Sequence, residues 1–290
     1  MKMLVFGASG RVGSVVCREA QAAGWQVVAP GRAECDLRSP SAVSAYVLSS
    51  GAEAVVNCAA VAGLEACLDD PLTAHLVNAV APAEMALACR HTGARLVHLS
   101  TDYVLDGRRP GKHAESAKCK PINIYGESKR EGELEVAENG EGALVLRVSW
   151  VCGNPARPSF VESTLARALK QEPLAAIDDK FSLPTHAGDI ARVILALIPR
   201  RESGVVHLCS TGEPMSWHAC AEQALQAAVE LGALPALPAV ERQKLSSVSF
   251  FRDPRPLHTA MDNALLLSLG IPMPTAEETL RRAVRDYLSC

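Results

Sequence analysis

The stretch "FGASGRVG", beginning at Phe6, constrains this chain more than any other. It follows a short apolar run, "KMLVF", and opens a segment with helical periodicity, "GRVGSVVCREAQAAG". Gly7, Gly10 and Gly13 recur at every third position. Strand, glycine turn, helix is the order of a dinucleotide-binding βα unit. Glycine permits the tight turn, lets backbone approach a pyrophosphate, and lets helix and strand pack closely. The helix N-terminus then turns free N–H groups and a positive dipole end toward the phosphates. Glycines also end strands in plain turns; the strand–turn–helix setting is what favours the cofactor reading. Ser9, Arg11 and Val12 fill the turn and are assigned to the cofactor with the glycines.

The same rhythm continues to residue 150. Strands are expected at "WQVVAP", "AEAVVNCAA", "ARLVHLST" and "GALVLRVSWV". Helices are expected at "SPSAVSAYVLSSG", "PLTAHLVNAVAPAEMALACRHTG" and "YGESKREGELEVAENG". The strands are apolar almost throughout, as in sheets covered on both faces. The pattern predicts an α/β fold: a Rossmann-type, doubly wound parallel sheet with a smaller C-terminal lobe, which the family resemblance given below makes the substrate-binding lobe. Residues 1–150 are expected to form the NADP-binding domain, and residues 151–290 mainly the second lobe. Segments near 186–212, including the strand-like "GVVHLCS", are expected to return to the first domain. A last helix is expected at "TAEETLRRAVRDYL".

A length of 290 residues suits one large α/β domain or a main domain with a smaller partner. A net charge of −3 gives no broad electrostatic pull toward nucleic acid or anionic membrane, and neither is expected as a partner. The N-terminus does not read as a signal peptide, no apolar run reaches the length of a membrane span, and a cytoplasmic location is expected. The 10 cysteines lie at irregular positions, without a CxxC pair or zinc spacing. Reduced thiols and no metal site are expected.

NAD sites place a carboxylate at the end of the second strand to hold the ribose 2′-hydroxyl. Here that strand ends "VVAPGR", with none. Arg32 can instead meet a 2′-phosphate, with Arg11 nearby, so NADP(H) is favoured and NAD(H) is the alternative. The competing reading of Arg32 is a solvated loop charge. Asp36 and Leu37 of "CDLRSP" are placed beside the adenine, and the small Ala59 and Ala60 let the cofactor lie close to backbone.

"YGESK" sets Tyr125 and Lys129 four apart, on one helical face. Reducing a ketone needs a proton donor at the carbonyl oxygen, and tyrosine alone, with a pKa of about 10, is a weak acid. A lysine ammonium one turn away is expected to stabilise the phenolate, lower that pKa and hold the nicotinamide ribose. "LSTDYVLDG" ends a strand in Ser100 and Thr101; its Tyr103 has no such lysine.

The chain resembles an extended short-chain dehydrogenase/reductase, and within that superfamily the dTDP-4-dehydrorhamnose reductase family. The carrying segments are "FGASGRVG", "LVHLSTDYVLDG", "PINIYGESKREGE", "LRVSWVCG", "LPTHAGDIARVI" and "RPLHTAMDNALLLSLGI". The resemblance implies Tyr125 as general acid, Lys129 as its partner, and Thr101 as hydrogen-bond donor to the keto oxygen. It implies Asp102 and Tyr103 at the border of the sugar pocket and Trp150 against the substrate. Arg255 is a candidate for the substrate diphosphate, with a rim salt bridge as the competing reading. The implied reaction is NADPH-dependent reduction of the C4 ketone of a dTDP-linked 4-keto-6-deoxyhexose. Leu105 and Cys152 depart from the family's Phe and Tyr, and Ala62, Leu64 and Glu65 from its threonine and valine–aspartate pair.

Two other classes stay open at this level. One is a non-catalytic NADP-binding subunit similar to the methionine adenosyltransferase regulatory subunit, against which the intact Thr101, Tyr125 and Lys129 weigh. The other is an epimerase or dehydratase of the same superfamily. A dehydratase would want glutamate where Tyr103 stands, and an epimerase would want the carboxylate missing after the second strand. A homodimer through the Tyr125 helix is left open, since its outward face, "ESKREGELE", is heavily charged.

Overall fold

The computed structural model describes residues 1–290. Six strands form one parallel sheet: β1 (Lys2–Phe6), β2 (Gln26–Val28), β3 (Ala54–Asn57), β4 (Arg95–Thr101), β5 (Leu144–Val148) and β6 (Gly204–Leu208). Their order is β6-β5-β4-β3-β1-β2. The chain leaves β1 toward β2 on one side and resumes at β3 on the other. The C-terminal ends of β1 and β3 therefore flank the topological switch point, where such sheets bind ligands.

Strand periodicity sorts the side chains. Met3, Val5, Ala54, Val56, Val97, Leu99, Leu144 and Leu146 point to one face. There they meet α1 (Arg11–Ala22) and α7 (Ala187–Leu197). Leu4, Phe6, Val55, Leu96 and Val145 point to the other. They meet α2 (Pro40–Ser50), α4 (Pro71–Thr92) and α5 (Ile124–Asn139). On this second face the strand ends turn polar. His98, Ser100 and Arg147 occupy the positions alternating with the apolar set, all buried against α5.

Between α2 and α4 lies the short α3 (Leu64–Asp69). By length and apolar content α4, with 22 residues, would pass as a membrane span, which corrects the expectation that no run is long enough. Half of its most apolar window is buried in the protein, as befits a core helix. Its middle, Leu76–Val80, is a π-helical turn. That bulge turns the Asn78 side chain onto Val61, accepting from its N–H at 2.9 Å and donating to its carbonyl at 3.0 Å. The loop after β3 is thereby fixed beside the switch point.

The second lobe has its own core, built by α6 (Phe160–Leu169), α8 (Trp217–Glu230) and α9 (Ala276–Leu288). Two parallel strands, Leu174–Ile177 and Val240–Gln243, complete it. The sequence pattern missed both, since one is four residues long and the other sits in a proline-spotted stretch. Residues 187–208 lie in the first lobe, with α7 packed on α1 and β6 on β5.

Candidate active site

The glycine turn is built for close approach. Gly7 has φ +76°, and a Cβ there would stand 2.6 Å from the Ala59 nitrogen. A Cβ on Gly13 would stand 2.2 Å from the Gly7 carbonyl oxygen. Gly10, the N-cap of α1, carries no side chain, so nothing of its own caps the first N–H groups of the helix. A cavity of about 290 Å³ opens beside this turn, lined by Gly7, Ser9, Arg32, Asp36, Leu37, Arg38, Ala59 and Ala60 among others. It shares Ala59 and Ala60 with a second cavity of about 450 Å³ over the ends of β3, β4 and β5. Gly10, Arg11, Val12, Thr101, Asp102, Tyr103, Tyr125, Lys129 and Trp150 line that second space. The two form one groove across the switch point.

At the outer end, Arg32 lies 4.0 Å from Asp36 and is largely exposed. Arg38, which sequence reasoning passed over, grips the same carboxylate through Nε and one terminal nitrogen. Its hydrogen bonds lower the Asp36 pKa to about 2. The signal was present: Arg38 stands two residues after Asp36 in "CDLRSP". Arg11 lines the groove, with its side chain bonded to the second lobe. Its guanidinium donates to the carbonyls of Arg157 and Pro158, at 2.8 and 2.7 Å, and not toward the Arg32 cavity. As the first residue of α1 it projects across the groove to the second lobe. Arg157 returns a bond to the Ser9 carbonyl at 3.0 Å, so this turn and the 154–158 loop brace one another.

α5 brings Tyr125 and Lys129 against the end of β4. Its N-cap, Asn123, accepts from the Gly126 N–H at 2.7 Å. Gly126 lets the helix close on the loop, since a Cβ there would lie 2.3 Å from the Tyr103 carbonyl oxygen. Tyr125 meets Tyr103 edge-on, with ring centroids 5.8 Å apart. Burial raises the Tyr125 pKa above the usual phenol value, and a hydrogen bond with the Thr101 hydroxyl partly opposes this.

Lys129 is 2% exposed. Its Nζ donates to the Leu99 carbonyl at 2.6 Å and lies 3.1 Å from Nε2 of His98. Burial lowers its pKa to about 8, with Glu133 opposing. This corrects the expectation of a phenol depressed by its lysine: in the cofactor-free protein Tyr125 stands above its ordinary value. The i, i+4 spacing stacks Lys129 one turn deeper, where its ammonium finds the strand carbonyl first.

Asp102 is also repositioned. It lines the groove, and its carboxylate accepts from the Thr101 hydroxyl at 3.2 Å, from Thr259 at 2.5 Å and from Ser182 at 3.3 Å, the last two in segments that follow residue 151. Lys180, fully buried, lies 4.7 Å over the Tyr103 ring and donates to the Pro256 carbonyl at 2.6 Å. Asp102 thus ties the lobes together, while Tyr103 forms groove wall.

Trp150 holds φ +41°, a left-handed conformation rare for a bulky residue, and its buried indole N–H has no partner. Such strain gathers where a side chain is aimed at a ligand. Trp217, with no sequence signal, meets Trp150 edge-on at 5.9 Å and stacks on Phe160 at 5.4 Å. Arg255 is not directed into the groove. It pairs through one terminal nitrogen with both oxygens of Glu65, at 2.8 and 3.0 Å, and lies 3.6 Å over the Phe251 ring. The structure shows the salt-bridge arrangement of the two readings, a bridge between α3 and the second lobe. Ala62 and Leu64 line the groove, whereas Leu105 and Cys152 belong to the second-lobe core.

A family model described as the RmlD substrate binding domain matches residues 1–289. A dTDP-4-dehydrorhamnose reductase of Burkholderia thailandensis is 36% identical over 303 residues, covering 100% of both chains. One of Mycolicibacterium smegmatis is 30% identical, over 98% of this chain and 85% of that one. The solved dTDP-4-dehydrorhamnose reductase of Bacillus anthracis, in complex with NADP, superposes with a TM-score of 0.90 at 26% identity, covering 98% of this chain and 99% of that one. With the family model spanning the chain almost end to end, this protein belongs to the RmlD substrate binding domain family, the dTDP-4-dehydrorhamnose reductase family of extended short-chain dehydrogenases/reductases.

Proposed function

We propose that this protein reduces the C4 ketone of a dTDP-linked 4-keto-6-deoxyhexose with NADPH. The observation that carries the reading is the convergence of Thr101, Tyr125 and Lys129 in the groove that begins at the glycine turn. The cradle fits a dinucleotide, because a Cβ at Gly7 or Gly13 would fill the space a pyrophosphate needs. Gly7, Ser9, Gly10, Val12 and Gly13 would hold the pyrophosphate. Arg32 and Arg38 would hold the 2′-phosphate, and Asp36, Leu37, Ala59 and Ala60 would flank the adenosine. When bound, the nicotinamide supplies the hydride.

The remaining chemistry belongs to the chain. At neutral pH Tyr125 is a protonated phenol, as an ordinary tyrosine is, and it gives its proton to the substrate oxygen as negative charge gathers there. Thr101 holds that oxygen with a second hydroxyl. Lys129, as an ammonium, supports the phenolate that Tyr125 becomes and would hold the ribose hydroxyls. Trp150 offers the sugar an apolar face. Residues 151–290, apart from α7 and β6, are assigned to the nucleotide half of the substrate.

The test is direct. Purified protein is mixed with NADPH and enzymatically made dTDP-4-keto-6-deoxy-L-mannose, and oxidation of the nicotinamide is followed by absorbance. Turnover lost in Tyr125→Phe supports the reading. Tight NADP binding without turnover on any nucleotide-linked ketose overturns it and returns the regulatory-subunit alternative.

A further inference from the structure

Lys129 does not stand alone in the groove. Beneath it lies His98, fully buried on β4, to which the reductase reading gives no part. Directly across the β3–β4 pair lies Asn57, also fully buried. Asn57 Nδ2 is 3.0 Å from His98 Nδ1, and His98 Nε2 is 3.1 Å from Lys129 Nζ.

The direction of these bonds follows from one fixed end. Asn57 Oδ1 accepts from the Ala59 backbone N–H at 3.0 Å. Turning the amide over would set its NH₂ against that N–H, two donors face to face. Asn57 therefore presents a donor to His98, and Nδ1 must accept. The single proton of the neutral ring then sits on Nε2, pointing at Lys129. An amine nitrogen can accept that proton; an ammonium, with no lone pair, cannot. A doubly charged pair is also disfavoured, since burial and the neighbouring lysine hold His98 well below its ordinary pKa. With Lys129 as the amine the donors run one way: Ala59 to Asn57, Asn57 to His98, His98 to Lys129, and Lys129 to the Leu99 carbonyl.

Resting on the reading of Lys129 as partner of Tyr125, we propose that His98, oriented by Asn57, is a positioning residue that favours the uncharged amine of Lys129 in the cofactor-free protein. It thereby brings the protonation of this lysine into the range where the enzyme works. Burial sets the starting point and Glu133 opposes it, and His98 acts on top of both. Cys58, at the end of β3, is a thiol whose pKa burial pushes up, so it stays neutral. Glu133, one turn along α5, is already bonded by Arg147, Arg130 and Ser100. Tyr125, one turn back, is held as the neutral phenol. The ammonium is the form that supports a phenolate, so reduction slows as Lys129 loses its proton, and His98 moves the pH at which that happens.

NMR of the isotope-labelled, cofactor-free protein tests this without substrate, so its outcome is separate from that of the reductase reading. Long-range proton–nitrogen spectra of His98 should show the proton on Nε2 and a bare Nδ1. The Lys129 side-chain resonance, identified by its loss in K129M, should titrate at least one pH unit below an ordinary lysine. In Asn57→Asp, a near-isosteric change that supplies an acceptor, the His98 proton should move to Nδ1. The Lys129 midpoint should then rise by a unit or more. In His98→Gln the midpoint should also rise, and the basic limb of kcat/KM for NADPH should move with it while KM at neutral pH changes little. A proton on Nδ1 in the wild type, an ordinary Lys129 titration, or midpoints unmoved in both variants would overturn the proposal. The wild-type measurements stand even if a variant fails to fold.

Discussion

Replacing Lys129 by methionine should abolish reduction without destabilising the fold at neutral pH. The ordinary lysine pKa of 10.5 falls to about 8 in the folded chain. At about 1.4 kcal/mol per unit, holding the charged form in place costs about 3 kcal/mol below the folded pKa. The sign follows from proton counts. Between the two values the unfolded chain binds more protons than the folded one, so wild-type stability rises with pH across that window, and the penalty is gone above it. Methionine removes the penalty at every pH. It also strips the Leu99 carbonyl of its donor, a loss of about 1–3 kcal/mol that does not vary with pH. At pH 7 the two terms nearly cancel, and the variant should equal the wild type or exceed it by up to about 2 kcal/mol. Near pH 11 the wild type should be ahead by about 1–3 kcal/mol. Urea unfolding of both cofactor-free proteins at each pH measures the change in the gap, and other titrating groups cancel in the comparison. A gap that stays the same at both pH values would show that the buried ammonium carries no penalty, and the reasoning would fail.

Gly13→Ala should fold but lose at least about a hundredfold in NADPH affinity, because its Cβ would sit 2.2 Å from the Gly7 carbonyl oxygen unless the turn opens. Fluorescence titration with NADPH checks this, and unchanged affinity would remove the turn from the phosphate site. Arg38→Ala and Arg32→Ala should each lower the preference for NADPH over NADH by about tenfold, the worth of a charge-assisted bond to a 2′-phosphate; an unchanged ratio would exclude that arginine. Glu133→Gln should cost about 3–5 kcal/mol by leaving the buried Arg147 guanidinium without its countercharge, and Glu133→Leu combined with Arg147→Met should recover most of it. Because its partners hold Glu133 below the ordinary carboxylate value, this stability is present above about pH 4.5 and lost as the pH falls through the folded pKa. Unfolding midpoints at two pH values check both.

Features that depend on neighbours along the chain were legible beforehand. The glycine turn, the strand–helix alternation, the Tyr125–Lys129 spacing and the return of "GVVHLCS" to the sheet are local patterns of backbone permission and side-chain period. So is the polar break at Thr101, where β4 ends beside the groove. What a side chain does once it arrives is settled by residues far away in sequence. Arg11 and Arg255 read as anion ligands because both are cations beside promising motifs. In the folded chain one is taken by the Arg157 and Pro158 carbonyls and the other by Glu65. Asp102 adjoins the substrate motif, yet its carboxylate belongs to Thr259 and Ser182. Trp217 carries no motif, and only the packing of the second lobe brings it to Trp150. Lys129 shows the division most clearly. Its place one turn from Tyr125 is written in the helix period, whereas its protonation depends on burial and on His98 and Asn57, which face each other only because β3 and β4 pair in register. Local sequence determines which groups can reach the groove; the tertiary fold, by deciding which charges are desolvated and which donors meet acceptors, determines what they do there.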